Sequence, residues 1–225
     1  MGLAAELRER TAAVHAETEQ KAVAQAFVQG NFQPIVYLRY LQSIRPVYQA
    51  LESALNRHCN QRLIAPVFLP DLFRLPSIQA DIDHLEDLLL EFPANPIPYR
   101  SAAGHEYAGR IQALSDLHPE LLISHAYVRY LGDLSGGQIL KQSIGRVLQS
   151  DRDGLTYFIF NGIEDPRDFK EQYRQELNAL PLARLLQQEI IREAQLSFSY
   201  SGRIFQELEA VLNFRSNRTD KNHAD

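Results

Sequence analysis

Apolar residues along most of this chain recur every three or four positions, the spacing that lines one face of an α-helix. Leu3, Leu7, Val14, Val23 and Phe27 predict a first helix over 3–28, ended by Gly30 and Asn31. Pro34 opens a second as its first-turn proline, with Tyr37, Tyr40, Leu41, Ile44, Tyr48, Leu51 and Leu55 as its stripe. Pro46 falls inside that stripe and predicts a kink or a break. Residues 60–76 carry three prolines and read as an irregular connector, Ile78 to Leu89 as a third helix, and FPANPIPYR as a loop. Ser101 is placed as the N-cap of a fourth helix reaching Leu117, and Pro119 opens a fifth. DRDG at 151–154 is a turn. TYFIF at 156–160 is β-like, but one short strand has no partner. Asp165 and Pro166 cap a sixth helix through Asn178, and Pro181 starts a long last one ending near Phe214. The expectation is a single all-α, multi-helix domain over 1–214, followed by a polar tail over 215–225.

Composition narrows the class. The chain has 225 residues, 45% of them apolar, enough for one substantial core. A net charge of −5 with no basic stripe argues against a nucleic-acid binder. The one cysteine, Cys59, leaves no internal disulfide and no cysteine-based metal cluster, which fits a reducing compartment. The N-terminus MGLAAELRER is charged, without the apolar segment of a signal peptide. No apolar run approaches the roughly 18 residues of a membrane span. The reading is a soluble intracellular protein with no membrane association.

Against this background YLGDLSGGQ, residues 130–138, is anomalous. Its flanks are helical, yet Gly132, Gly136 and Gly137 sit within it, and three glycines in a helix interior cost roughly 3 kcal/mol relative to alanine. Three readings compete. The spacing of Gly132 and Gly136 lets two helices pack closely. A glycine loop cradles phosphate, although no Lys-Ser or Lys-Thr pair follows here. Or the missing side chains admit a flat ligand. Asp133 lies among the glycines, and a carboxylate buried dry is costly, so it points to a wet, polar pocket. His15 offers a second clue. Its neutral imidazole is a good iron ligand, Glu19 one turn on could orient the ring, and Arg8 lies near the same face. A surface histidine paired with a glutamate is the plainer alternative.

HAYVRYLGDLSGGQILK, residues 125–141, resembles the signature segment of the heme oxygenases. The likeness extends through TAAVHAETE, PVYQALE and FKEQYRQELNALP and covers all but the polar tail. It is closest to the soluble, biliverdin-producing enzymes of microbial and plastid type. The resemblance implies a fold that holds heme between a proximal helix and a glycine-kinked distal helix. It implies heme b as both substrate and cofactor, with His15 as the iron ligand and Glu19 as its neighbour. Gly132, Gly136 and Gly137 would lie on the distal face. Asp133, Tyr48 and Arg129 would hold a distal water network, Arg8, Tyr127, Lys170 and Arg174 would meet the propionates, and Phe198 would wall the pocket. The implied reaction opens heme with O2 and external electrons to biliverdin, carbon monoxide and ferrous iron. The Lys170 and Arg174 clamp favours the alpha isomer. A ferredoxin with its reductase is the implied donor, docked on the Arg8, Lys170 and Arg174 side, and the protein is read as a monomer of the cytoplasm or plastid stroma.

The pattern departs from the family in four places. Arg8 stands where lysine is frequent, Ala12 where a basic residue is frequent, Ser201 near a position that is commonly asparagine, and Pro46 is unusual in the second helix. Two histidines outside the pattern are assigned structural roles. His125 is a hydrogen-bonded core residue, and His84 with Asp81, Asp83, Glu86 and Asp87 forms a row of exposed charges. The alternatives are a heme-binding module without turnover, a di-iron oxidase and a thiaminase-like enzyme. The di-iron class wants two facing Glu-x-x-His motifs that are missing here. The thiaminase-like class wants a catalytic cysteine, and Cys59 has no evident base.

Overall fold

A computed structural model describes residues 2–90 and 99–213. Most of the loop expected at FPANPIPYR and the whole tail expected over 215–225 lie outside the described residues. Among the described residues the regular elements are helices: α1 (Leu3–Glu19), α2 (Ala22–Gln29), α3 (Pro34–Arg57), α4 (Leu75–Leu90), α5 (Ala102–Leu117), α6 (Leu122–Asp133), α7 (Gly136–Leu148), α8 (Pro166–Ala179) and α9 (Arg184–Asn213). Short 3-10 turns join several of them.

The expected first helix is two helices. Lys21 is extended (φ −60°, ψ 141°), and the chain turns between α1 and α2. No large apolar residue lies between Val14 and Val23, and the two pieces serve different neighbours. α1 packs on α8 and α9, while α2 packs on α7 and α9 and puts Phe27 among Phe32, Tyr37, Tyr40 and Phe205. Gly30 then ends α2 in the left-handed region at φ 72°, the conformation that glycine adopts without strain.

α3 is the central helix. It runs unbroken through Pro46, and Tyr37, Leu41, Tyr48, Leu51 and Leu55 are fully buried on it. α4, α5, α6 and α9 surround it. The approach to α5 is close, because a Cβ built on Gly104 would sit 2.1 Å from the Ser43 carbonyl oxygen. Side-chain caps hold the ends as expected. Ser101 Oγ accepts from Gly104 N at 2.9 Å, and Asp165 accepts from Arg167 N at 2.7 Å and Asp168 N at 3.2 Å. α4 starts three residues earlier than its apolar pattern indicated, because the buried Glu52 carboxylate accepts from Arg74 N (2.5 Å) and Leu75 N (3.1 Å).

The β-like run at 156–160 is not a strand. Thr156–Phe158 form a 3-10 turn, with Tyr157 and Phe158 buried. The buried Asp81 carboxylate takes both leading N–H groups of that turn, which curls the chain. The expectation that Asp81 belongs to a row of exposed charges therefore fails; it is 1% exposed. The last helix starts at Arg184, three residues beyond Pro181.

Candidate functional site

The glycine segment divides as its composition suggests, with α6 ending at Asp133 and α7 starting at Gly136. Among the described residues the glycines with positive φ are Gly30 and Gly154, so none of the three here is needed for an unusual backbone angle. What matters is the missing side chain. A Cβ on Gly132 or on Gly136 would meet nothing within 4 Å, whereas one on Gly137 would touch the Phe158 ring at 3.4 Å. Gly132 and Gly136 thus face open space, and Gly137 packs inward. This excludes tight helix packing as the reason for the first two, since no neighbour stands where their side chains would be.

Behind this face lies a buried polar cluster. Asp133 is 6% exposed and both carboxylate oxygens are engaged. Tyr48 Oη donates a short hydrogen bond to Oδ2, and Tyr157 Oη donates to Oδ1 at 2.6 Å. The two phenols are 3.0 Å apart. Arg129, one helical turn before Asp133, donates to Tyr48 Oη from Nε (3.1 Å) and Nη2 (3.0 Å), and to Tyr157 Oη at 3.2 Å. Burial raises the Asp133 pKa, opposed by the Arg129 charge and by the hydrogen bonds from Tyr157 and Tyr48. Both phenols are held well above their usual range, first by burial, so each stays a hydrogen-bond donor. Ser201 keeps a place in the cluster: its hydroxyl accepts from Arg129 Nη1 at 3.4 Å and donates to Ser197 O at 3.1 Å.

His15 is on α1, and its ring meets Phe198 of α9 edge-on at 5.2 Å. Its side chain is 48% exposed, so the imidazole is reachable, and Nδ1 lies 3.5 Å from Glu19 Oε2. Such an exposed pair contributes little stability, so its value is in orienting the ring. α1 and α6 both lean on α9, and that helix joins the His15 side to the Asp133 side.

Cations gather around Tyr127 and at the joint between α6 and α7. Arg174 and Arg8 oppose the rise that burial gives the Tyr127 pKa, which places α8, α1 and α6 around one spot. Burial, then Arg174 and Arg167, lower the Lys170 pKa. Lys170 Nζ donates to Ser135 Oγ at 3.1 Å and to Leu134 O at 3.4 Å, so it also braces the α6–α7 joint. Arg174 lies 3.7 Å from Glu171.

The structure therefore joins Asp133, Tyr48 and Arg129 directly, gathers Arg8, Tyr127, Lys170 and Arg174, and sets His15 with Glu19 and Phe198. Sequence reasoning missed Tyr157, because its run was read for β propensity. The usable signal was the one phenol in that run. His125 is fully buried, bonded to Glu193 (3.1 Å) and Tyr107 (3.2 Å), as its structural assignment required. Among the described residues no group of three His, Cys, Asp or Glu is spaced to hold a metal ion, and no helix is long and apolar enough to cross a membrane. The donor set fits heme. An accessible imidazole, two glycines with open space beside them for a flat ring to approach the backbone, and a group of cations for two carboxylates suit the group's three chemistries.

The heme oxygenase family model matches residues 1–207. A heme oxygenase of Guillardia theta is 35% identical over 208 residues, covering 92% of this chain and 86% of the relative. The crystal structure of heme oxygenase-1 from the cyanobacterium Synechocystis in complex with heme superposes with a TM-score of 0.88 at 30% identity, over 100% of both chains. The heme oxygenase structure from Leptospira interrogans gives 0.83 at 34% identity, over 92% of this chain and 100% of that one.

Proposed function

As this chain belongs to the heme oxygenase family, whose reaction opens heme to biliverdin, we propose which of its residues carry that reaction. His15 is the proximal iron ligand, with Glu19 steadying the ring through Nδ1. Gly132 and Gly136 form the distal face. Asp133 holds water near that face and passes protons through it. Tyr48 and Arg129 fix its carboxylate. Heme, when bound, supplies the iron chemistry and is itself the molecule cleaved.

The observation that carries this reading is the location of the Asp133 cluster directly behind two glycines whose side-chain positions are open. A carboxylate acting through water delivers protons more gently than an acid in direct contact, and the glycines let the porphyrin plane come close to the helix. Arg8, Tyr127, Lys170 and Arg174 bind the propionates and so set the rotation of the ring, which favours cleavage at the alpha position. Arg8, Lys170 and Arg174 also form the docking face for a small acidic donor of ferredoxin type, a local positive patch on a chain of net charge −5.

A single-turnover assay tests this. One equivalent of hemin is added, then ascorbate or ferredoxin with its reductase, in air. Loss of the Soret band with growth of a broad red biliverdin band supports the reading, and chromatography gives the isomer. A Soret band that survives reductant and air identifies a binding module without turnover.

A further inference from the structure

Tyr157 makes contacts that volume alone does not require. Its ring is 2% exposed, and its hydroxyl reaches Asp133 Oδ1 (2.6 Å), Tyr48 Oη (3.0 Å) and Arg129 Nη2 (3.2 Å). The apolar work of the turn is done by its neighbour Phe158, which covers Gly137 and stacks on Tyr37 at 6.2 Å. A phenylalanine at 157 would fill the same space without the hydroxyl.

The turn is also pinned from two sides. Asp81 of α4 accepts from Thr156 N (2.9 Å), Thr156 Oγ1 (2.6 Å) and Tyr157 N (2.8 Å). Arg74 donates to Ile159 O at 2.6 Å and lies over the Phe160 ring at 3.9 Å. A buried carboxylate and a buried guanidinium are costly to desolvate. Here both reach residues 156–160, and that stretch delivers one phenol to Asp133.

We propose that Tyr157 is a positioning residue of the heme-cleaving site, holding the Asp133 carboxylate by Oδ1, and that Asp81 sets Tyr157 by capping its turn. The proposal rests on the heme-cleaving reading above. Without Tyr157 the carboxylate would keep one phenol hydrogen bond, from Tyr48 to Oδ2, and at Oδ1 only the Arg129 charge at 3.9 Å. Two phenols from different elements fix its plane. Each oxygen keeps a further lone pair for water, so the carboxylate becomes an acceptor of set direction. Donors to the ionised form also keep it ionised. The titratable groups facing this carboxylate are Tyr48 and Glu52 from α3, Arg74 ahead of α4, Arg129 and Tyr130 from α6, and Tyr157 itself, with Tyr40 of α3 acting on the two phenols.

The test uses Tyr157→Phe and Asp81→Asn in the full chain. In heme-free protein, the Asp133 carboxyl is titrated by carbon-13 NMR, its resonance assigned by its loss in Asp133→Asn. Removing one donor from the ionised carboxylate raises its titration midpoint by about one pH unit in Tyr157→Phe, with a smaller rise in Asp81→Asn. With heme, the acid limb of the turnover profile moves to higher pH in the same order, while Soret titration gives unchanged heme affinity. A purely structural tyrosine would lower thermal stability and leave both pH midpoints in place. Unmoved midpoints in the two variants overturn the proposal. If Tyr157→Phe does not fold, Asp81→Asn decides alone by the same midpoints. If wild type binds heme without cleaving it while the Asp133 midpoint still moves, the heme-cleaving reading fails and the Tyr157 contact stands.

Discussion

Asp133 gains its character from its partners. Burial pushes its pKa up, and a guanidinium and two phenols oppose the rise without cancelling it. An asparagine keeps the shape but presents an NH2 group to one of those phenols, which is itself a donor. Asp133→Asn is expected to bind heme with a normal Soret band and to lose biliverdin formation by about a hundredfold or more, the scale of a lost acid–base group. Unimpaired biliverdin formation would remove Asp133 from the proton path. His15 is a different case, since it is half exposed and little of the fold depends on it. His15→Ala is expected to leave the melting temperature within a few degrees of wild type, shift the Soret band, and abolish turnover. Turnover at the wild-type rate would show that the iron is ligated elsewhere.

At the scale of elements, glycines of one composition have opposite meanings. Gly132 and Gly136 face open space, so alanine there meets no neighbour and gains up to about 1 kcal/mol of helix propensity. Heme-free Gly132→Ala is therefore expected to melt slightly higher than wild type while binding heme more weakly. Gly104 is the contact between α5 and α3, and its alanine would collide with the Ser43 carbonyl. Gly104→Ala is expected to destabilise by about 1–3 kcal/mol, the range for overpacking. Denaturant unfolding with and without heme separates the two effects. If Gly132→Ala lowered heme-free stability, the space beside Gly132 would be filled where the structure has it open. The helix ends at Ser101, Asp165 and Gly30 were legible in advance, since those residues act within four residues of themselves. The break at Lys21 was not, because only the packing of α1 and α2 on different neighbours separates them.

At the scale of the molecule, buried ionisable groups set the response to pH. Burial raises the Glu193 pKa, but the hydrogen bonds and charges of His125 and Arg110 outweigh it and bring it to about 2, against 4.5 for a free glutamate. The folded form thus binds this proton less readily than the unfolded one. The stabilisation is fully present above about pH 4.5 and is lost as pH falls toward 2. Glu52 runs the other way. Burial raises it to about 7, against its backbone hydrogen bonds, so its contribution declines as pH rises from about 4.5 to 7. Melting curves across pH 3 to 8 are expected to show a flatter acid limb in Glu193→Gln and a flatter neutral limb in Glu52→Gln, relative to wild type. Parallel curves in all three proteins would mean that neither carboxylate differs between folded and unfolded chains. The amino-acid sequence by itself determined the helical class, most helix ends, and the residues of the signature segment, because periodicity, caps and motif spacing act over a few residues. Only the tertiary structure decided that Asp81 reaches 76 residues along the chain to hold Tyr157, and that Tyr157 reaches 24 back to Asp133. Contacts over such separations depend on how whole helices pack, and no local pattern records them.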